Sequence, residues 1–193
     1  MTAPGGARVR DPGRRDKILA AAADLVASRG YHAVSLADIG AAAGIVGSGV
    51  YRHFGSKSAI LDALLDQALD RLHGNAARAM ASAAPAEQVL TALVSDHVAF
   101  AVDDRRLVQL YQREVHTLPD ADRRRLRLRQ RDYIEEWARV LAQARPGTGG
   151  AEARTRVHAA IGAIQSIATY RSDLPRQQLT ALLTRIARAC LTS

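Results

Sequence analysis

The spacing of apolar residues predicts α-helices along almost the whole chain. Between residues 14 and 29, apolar side chains recur every three or four positions, the pattern of an amphipathic helix with one buried face. This stripe consists of Ile18, Ala21, Ala22, Leu25 and Val26. Gly30 follows directly and is suited to end the helix, since glycine tolerates the left-handed backbone often found there. The first helix is therefore expected to run from Arg14 to Arg29.

The same spacing continues after residue 55 and predicts six more helices. Ser56 is a suitable N-cap for the first of them, which we expect to end near Gly74. The expected bounds of the first four are 56–74, 85–102, 103–117 and 119–145. The sequence Pro-Gly-Thr-Gly-Gly at 146–150 is the clearest loop, and two final helices follow it, the second starting near Pro175.

Residues 35–57, SLADIGAAAGIVGSGVYRHFGSK, have the pattern of two short helices joined by a tight turn. Ser35 and Asp38 have the spacing of a capping box at the start of the first helix. Gly44 stands where a helix-turn-helix needs a residue without a β-carbon.

The second short helix is expected to begin near Gly47, with Val50 and Phe54 facing inward. Its outward side chains would be those of Ser48, Tyr51, Arg52 and His53. A short helix with such polar side chains on one face fits the major groove of DNA.

This segment resembles the N-terminal domain of TetR-type transcriptional regulators. In that family a Ser or Thr is followed at fixed spacing by Ile-Ala, Ala-Gly-Val-Ser and Tyr-x-His-Phe-x-Ser-Lys. The matching positions are Ser35, Leu36, Ile39, Gly40, Ala43, Gly44, Ile45, Val46, Val50, Tyr51, His53, Phe54, Ser56, Lys57 and Ile60. The resemblance covers roughly the first third of the chain.

Two positions depart from the family pattern. Val46 replaces the serine that usually caps the recognition helix, and losing such a cap costs about 0.5–2 kcal/mol. Gly40 replaces an alanine, which costs roughly 1 kcal/mol in helix propensity. Both changes concern the region from which bases would be read.

The resemblance implies an all-α protein of about nine helices in total. Residues 1–13 would be a flexible basic arm, residues 14–58 a three-helix helix-turn-helix DNA-binding domain, and residues 59–193 a larger effector-binding and dimerisation domain. Family members typically dimerise through their last two helices, so that two recognition helices about 34 Å apart meet successive major grooves of a palindrome. The candidate interface residues are Ile161, Ile164, Ala168, Leu179, Leu182, Leu183 and Ile186.

Seven residues are candidates for DNA contact. Tyr51, His53 and Lys57 would bind phosphates, and so would the helix N-terminus at Ser35. Base edges would be reached from the front of the recognition helix by Arg52 and Ser48, whereas Gly47 there has no side chain to read a base.

Charge supports a polyanionic partner, because the formal net charge of the 193 residues is +8. Four arginines near the N-terminus could enter an adjacent minor groove or belong to a solvated tail, namely Arg8, Arg10, Arg14 and Arg15.

A second basic run contains Arg123, Arg124, Arg125, Arg127, Arg129 and Arg131. Such a run is usually the solvated face of a helix, offset here by Asp120, Asp122 and Asp132. The alternatives are a second nucleic-acid surface or help in binding an anionic effector such as an acyl thioester.

An effector pocket is expected between the central helices, because ligand sites are mostly apolar with a few polar groups. The candidate lining residues are His97, Phe100, Tyr111, Glu114, Trp137 and Gln165. Taken alone, a residue in such a position is more often an ordinary core or boundary residue.

Other classes of protein receive little support. The single cysteine, Cys190, excludes an internal disulfide framework and a cysteine-based zinc site. Without metal-ligand spacing, a nucleophile–base set or a glycine-rich phosphate loop, neither an enzyme nor a cofactor is expected. The chain lacks a membrane-length apolar run and an apolar signal sequence, so we expect a cytoplasmic protein.

The sequence thus predicts a homodimeric, ligand-responsive transcriptional regulator. It would be a repressor that leaves a palindromic operator when a small, largely apolar or amphipathic effector binds. An effector-independent DNA-binding protein and an activator with the same fold are the alternatives.

Overall fold

The computed structural model describes residues 13–45 and 49–192, which form eight α-helices and no β-strand. The chain divides into two compact units, Met1–Ile60 (unit 1) and Leu61–Ser193 (unit 2). The predicted all-α class is confirmed, and eight helices in the described residues is close to the predicted nine.

Unit 1 contains helices α1 (Arg14–Arg29) and α2 (Leu36–Ala42). Helix α1 has the predicted bounds, and it ends at Gly30, which adopts a φ of 82° and donates its N–H to the carbonyl of Val26. Helix α2 begins with the predicted capping box. The Ser35 N–H donates to Asp38 Oδ2 at 2.8 Å, and the Asp38 N–H donates to Ser35 Oγ at 3.1 Å.

The second helix of the helix-turn-helix is only partly within the described residues, because Val46, Gly47 and Ser48 lie outside them. Residues 49–53 form a single turn. Both His53 and Phe54 donate their N–H groups to the carbonyl of Val50, at 2.9 Å each.

Helix α3 (Lys57–Ala81) starts in unit 1, and most of it belongs to unit 2. The expected end near Gly74 is wrong, since the helix continues for seven more residues. A glycine inside a helix costs only about 1 kcal/mol relative to alanine. The side chains of Leu72 and Ala76 on either side are buried, so packing outweighs that cost.

Five further helices complete unit 2. They are α4 (Ala86–Asp103), α5 (Arg105–Glu114), α6 (Asp120–Ala144), α7 (Gly150–Gln165) and α8 (Arg176–Thr192). Short 3₁₀ turns follow α5 at Val115–Thr117 and α7 at Ser166–Ala168. Pro85 and Pro119 immediately precede α4 and α6, where their fixed φ and missing N–H are tolerated.

The core of unit 2 is built mainly from α4, α6, α7 and α8. Trp137 is its largest fully buried side chain, and Leu93, Leu141 and Ile164 are buried with it. Burying each aliphatic side chain of this size stabilises the fold by about 1.5–3 kcal/mol relative to leaving it in water. In the part of the chain that the structure describes, no helix is long and apolar enough to cross a membrane.

Candidate functional site

Three polar side chains are displayed together on the turn that follows α2. Tyr51 is 61% exposed, and Arg52 and His53 are exposed beside it. Val50 and Phe54, which flank them, are buried. This arrangement follows from the sequence, because the apolar residues pack the turn against the rest of unit 1. The polar side chains remain accessible to a partner.

Lys57 has a structural task in unit 1. Its Nζ donates to the carbonyl of Tyr31 at 2.8 Å and to that of His32 at 3.4 Å, and it lies 4.5 Å from the centroid of the Tyr31 ring. The ammonium group therefore ties the start of α3 to the segment after α1. The predicted phosphate contact at Lys57 stays a prediction, and it must share the group with these carbonyls.

Ser35 is also engaged locally. Its hydroxyl accepts the Asp38 N–H and donates to Asp38 Oδ2 at 2.5 Å. The hydrogen bonds from Ser35 lower the pKa of Asp38, so a carboxylate occupies the N-terminus of α2 at neutral pH. A phosphate at this terminus would have to approach that negative charge, which weakens the predicted contact.

Some positions considered for DNA contact are outside the described residues or within α1. Gly47 and Ser48 lie outside the described residues, as do Arg8 and Arg10. Arg14 and Arg15 form the first turn of α1 and are not part of an arm. The guanidinium carbon of Arg15 lies 5.3 Å from the centroid of the Phe54 ring.

Unit 2 contains a cavity bounded by side chains of α3, α4, α5, α6 and α7. The space that protein atoms leave free in this cavity, including its opening to solvent, is about 540 Å³. The centre of a water molecule can be placed in only about 50 Å³ of that space. Its apolar wall is formed by Leu65, Ala68, Leu69, Leu72, Phe100, Leu107, Val108, Ile134 and Ile161. Its polar groups belong to His97, Tyr111, Gln112, Gln130, Tyr133 and Gln165. The cavity is therefore narrow, mostly apolar and free of acidic or strongly basic side chains.

His97 is the most deeply buried polar residue of this lining. Its Nδ1 lies 3.1 Å from the Tyr133 hydroxyl, and the two rings stack with their centroids 5.7 Å apart. Its Nε2 is buried and has no hydrogen-bond partner in the described segments. Burial lowers the pKa of His97 to about 4 and raises the pKa of Tyr133, so both groups are neutral at pH 7.

Four of the six residues predicted for an effector pocket line this cavity: His97, Phe100, Tyr111 and Gln165. Trp137 does not, because its side chain is completely buried in the core, where its ring lies 5.9 Å from that of His97. Glu114, at the end of α5, is not a lining residue either.

Sequence reasoning missed the polar lining residues Gln112, Gln130 and Tyr133. Tyr133 has the spacing of a core residue, and nothing in its position alone separates a cavity wall from packed core. The signal for Gln130 is an amide next to the apolar stripe of α6, where it accepts the Tyr111 hydroxyl at 2.9 Å.

The predicted dimer interface stays a prediction, and four of its seven residues are buried inside unit 2. Ile161, Ile164, Ala168 and Leu183 are at most 6% exposed and belong to the core cluster of unit 2. Their side chains therefore pack inside the subunit. On α8, Ile186 is 41% exposed, and Leu179 and Leu182 are half-buried, so these three remain candidates.

The basic run on α6 divides into two sets of arginines. Arg125 donates to Asp62 and Asp66 at 2.7 and 2.6 Å, and Arg129 donates to Asp66 and to Asp70. Burial acts to raise the pKa of Asp66, but the hydrogen bonds from the two arginines outweigh it and lower that pKa.

The charges that offset the run thus come mainly from α3. Of the three aspartates expected to do so, only Asp120 forms an ion pair with the run in the described residues, through Arg123. Arg124, Arg127 and Arg131 are exposed and have neither a hydrogen bond nor an ion pair with any described residue.

No group of three or more His, Cys, Asp and Glu side chains within residues 13–45 and 49–192 is placed to hold a metal ion.

Two family models match the chain. Residues 18–64 match bacterial regulatory proteins of the tetR family, and residues 83–171 match the tetracyclin repressor-like C-terminal domain. The chain is 38% identical over 106 residues to the HTH-type transcriptional repressor KstR2 of Rhodococcus jostii (strain RHA1), covering 55% of this chain and 52% of that protein. The match therefore spans about half the length of this curated relative.

Solved structures of low sequence identity share the fold over nearly their full length. A TetR-family transcriptional regulator from Bordetella parapertussis 12822 superposes with a TM-score of 0.79 at 24% identity, covering 94% of this chain and 96% of that one. AibR, solved in complex with isovaleryl coenzyme A and operator DNA, superposes with a TM-score of 0.74 at 22% identity, covering 89% and 96%.

Proposed function

Because the chain belongs to the TetR family of bacterial regulatory proteins, we propose that it is a DNA-binding transcriptional regulator controlled by a small molecule. The proposal assigns DNA contact to unit 1 and effector binding to unit 2. A cytoplasmic location follows from the proposed DNA partner.

The observation that carries this proposal is the cavity of unit 2. Protein interiors are close-packed, so a mostly apolar space lined by neutral hydrogen-bonding groups is characteristic of a ligand site. We propose that it receives the apolar part of an effector. If Tyr133 donates to His97 Nδ1, then Nε2 carries the proton and can donate to a carbonyl oxygen of that effector.

An acyl thioester combines an apolar chain with a neutral carbonyl. One protein of the same fold, AibR, was solved with isovaleryl coenzyme A. Thioesters are therefore the first ligand class to test, ahead of free carboxylates, whose charge would enter a lining without a cationic partner.

Control of DNA binding requires a difference in ligand affinity between two states of the regulator. An effector that binds the DNA-free form more tightly lowers operator affinity by the coupling free energy, typically ~1–3 kcal/mol. The protein would then act as a repressor that the effector releases.

In unit 1, Tyr51 and His53 are proposed to bind phosphates and Arg52 to read a base edge. Their shared exposure on one turn supports this assignment. Ser35 and Lys57 would add phosphate contacts to the extent that their local hydrogen bonds permit.

A homodimer is proposed through the outer face of α8. Leu179, Leu182 and Ile186 are the predicted interface residues that keep accessible surface. A two-fold axis would give two DNA-contacting turns, and hence a palindromic operator.

Selection of binding sites from a random DNA pool with the full-length protein tests the DNA role. We expect recovered sequences to contain a palindrome whose half-sites lie about one helical turn apart. Recovery without any shared sequence would contradict a specific regulator.

Fluorescence anisotropy on the recovered site tests effector control. Octanoyl coenzyme A should lower DNA affinity by roughly 5- to 150-fold. Unchanged affinity in the presence of a bound ligand would favour the effector-independent alternative. Transcription in vitro from a promoter carrying the site distinguishes a repressor, which lowers the yield of transcript, from an activator, which raises it.

A further inference from the structure

We propose that Arg124, Arg127 and Arg131 of α6 form a docking site for the phosphate-bearing head of an amphipathic effector, beside the opening of the unit 2 cavity. The apolar chain of the same molecule would lie inside the cavity. The inference rests on the proposed function, since it assumes that the cavity holds a ligand. We call these three residues the arginine stripe.

The stripe is distinct from the arginines that stabilise the fold. Arg125 and Arg129 are engaged with aspartates of α3, and Arg123 with Asp120. The stripe residues are spaced at i, i+3 and i+7 over roughly 10 Å, on a face of α6 other than that of Arg125 and Arg129. All three are exposed, and no ion pair within the described residues offsets their charge.

The helical register of α6 places the stripe beside the cavity. Arg127 precedes the lining residues Gln130 and Ile134 by three and seven positions, so it lies on the same side of α6, nearer the helix start. Tyr111, whose hydroxyl donates to Gln130, lines the cavity from α5. Burial raises the pKa of Tyr111, and the positive charge of Arg127 opposes that rise, which is consistent with their closeness.

Exposure of a lining residue marks where the cavity meets solvent. Gln112 of α5 is both exposed and part of the lining, so the wall of the cavity meets solvent beside Tyr111. A molecule with its apolar chain inside would therefore emerge close to Arg127.

The two environments complement an amphipathic anion. The cavity has no lysine, arginine, aspartate or glutamate, so a phosphate inside it would lose hydration without a compensating charge. Outside, three guanidinium groups offer planar paired donors that match phosphate oxygens. A single exposed ion pair contributes little to the binding free energy of a ligand. Several such ion pairs add up when the acyl chain of the same ligand is already held in the cavity.

Calorimetric titration of the full-length protein with two ligands tests the proposal. Octanoyl coenzyme A carries phosphates, whereas the octanoyl thioester of N-acetylcysteamine has the same acyl group and no charge. The variant R124Q/R127Q/R131Q removes the stripe. Arg139→Gln serves as the control, because Arg139 is exposed on the same helix and has no ion pair in the described residues.

The triple variant should bind octanoyl coenzyme A about tenfold more weakly than the wild type, and Arg139→Gln less than about twofold. Affinity for the neutral thioester should be the same in all three proteins. Raising the salt concentration should weaken octanoyl coenzyme A binding in the wild type and much less in the triple variant.

Equal binding of octanoyl coenzyme A by the wild type and the triple variant, with the neutral thioester still bound, would overturn the arginine stripe and leave the cavity proposal standing. Failure of both thioesters to bind the wild type would instead reject the cavity proposal itself. Loss of affinity for random-sequence DNA in the triple variant, with thioester binding intact, would identify the stripe as a nucleic-acid surface and overturn the inference.

Discussion

Burial decides the chemistry of His97. A histidine in water is partly protonated near pH 6.5, whereas this ring is enclosed by unit 2 and its pKa falls to about 4. The imidazole is therefore a neutral hydrogen-bonding group at physiological pH. It cannot serve as a cationic anchor for a carboxylate or phosphate inside the cavity.

The pKa of His97 predicts a pH dependence of stability. The unfolded chain takes up a proton at this residue below about pH 6.5 and the folded protein only near pH 4, so acid favours unfolding. Between pH 7.5 and pH 5 this single group should lower the free energy of unfolding by about 2 kcal/mol. Urea denaturation of the wild type and His97→Phe at both pH values measures the effect. An equal pH dependence in the two proteins would contradict it.

Lys57 and Tyr51 are both candidates for phosphate contact, but they should differ in their effect on stability. Lys57→Met removes two hydrogen bonds to carbonyls and a contact with the Tyr31 ring, so we expect a loss of about 1 kcal/mol. Tyr51→Ala alters an exposed side chain and should change stability by less than about 0.5 kcal/mol. Thermal denaturation separates the two roles.

Both substitutions should also weaken DNA binding across sequences and flatten its salt dependence. A stable Lys57→Met protein that has lost DNA affinity would show that the lysine acts on DNA alone. A Tyr51→Ala protein with unchanged affinity and salt slope would remove Tyr51 from the DNA surface.

At the scale of helices, Gly40 in α2 and Gly74 in α3 differ in the space that surrounds them. A β-carbon on Gly40 would lie 2.9 Å from Val50 Cγ2 and 3.1 Å from the carbonyl of Ile45. This close approach accounts for glycine at a position where the family usually has alanine. A β-carbon on Gly74 would meet only the flexible Arg78 side chain, at 3.7 Å.

Replacing each glycine by alanine should therefore give effects of opposite sign. Gly40→Ala gains about 1 kcal/mol in helix propensity but costs roughly 1–3 kcal/mol by overpacking, so a net destabilisation is expected. Gly74→Ala gains helix propensity without overpacking, so it should stabilise α3 by about 0.5–1 kcal/mol. Thermal denaturation followed by circular dichroism compares the two variants. Stabilisation by Gly40→Ala would mean that Val50 relaxes without cost.

At the scale of the whole molecule, the exposed face of α8 predicts assembly. Ile186→Glu should give a monomer in sedimentation velocity, because a charge would be buried in the proposed dimer interface. Leu128→Glu is a suitable control, since Leu128 is a similarly large exposed apolar residue on a different helix, α6. A dimer in both variants would place the interface elsewhere.

The all-α fold, most helix bounds and the capping box could be read from the sequence. These features are local, because the helical spacing of apolar residues, the capping residues and the prolines act over a few positions. Helix α1 therefore has its predicted bounds, and Pro85 and Pro119 precede helices as expected. The end of α3 could not be read in this way, because burial of Ala76 by distant residues outweighs the propensity of Gly74.

By itself, the sequence determined which faces of the helices are apolar and which segment resembles a helix-turn-helix. Only the tertiary structure decided how each apolar position is used. Trp137 and Ile164 became core and Tyr133 a cavity wall, and Ile186 was left exposed, although all four have helical spacing. The same holds for the basic run, where the aspartates of α3 pair with Arg125 and Arg129, whereas Arg127 has no ion pair with a described residue. The physical reason is that burial and ion pairing depend on residues distant in sequence, whose positions a local pattern does not contain.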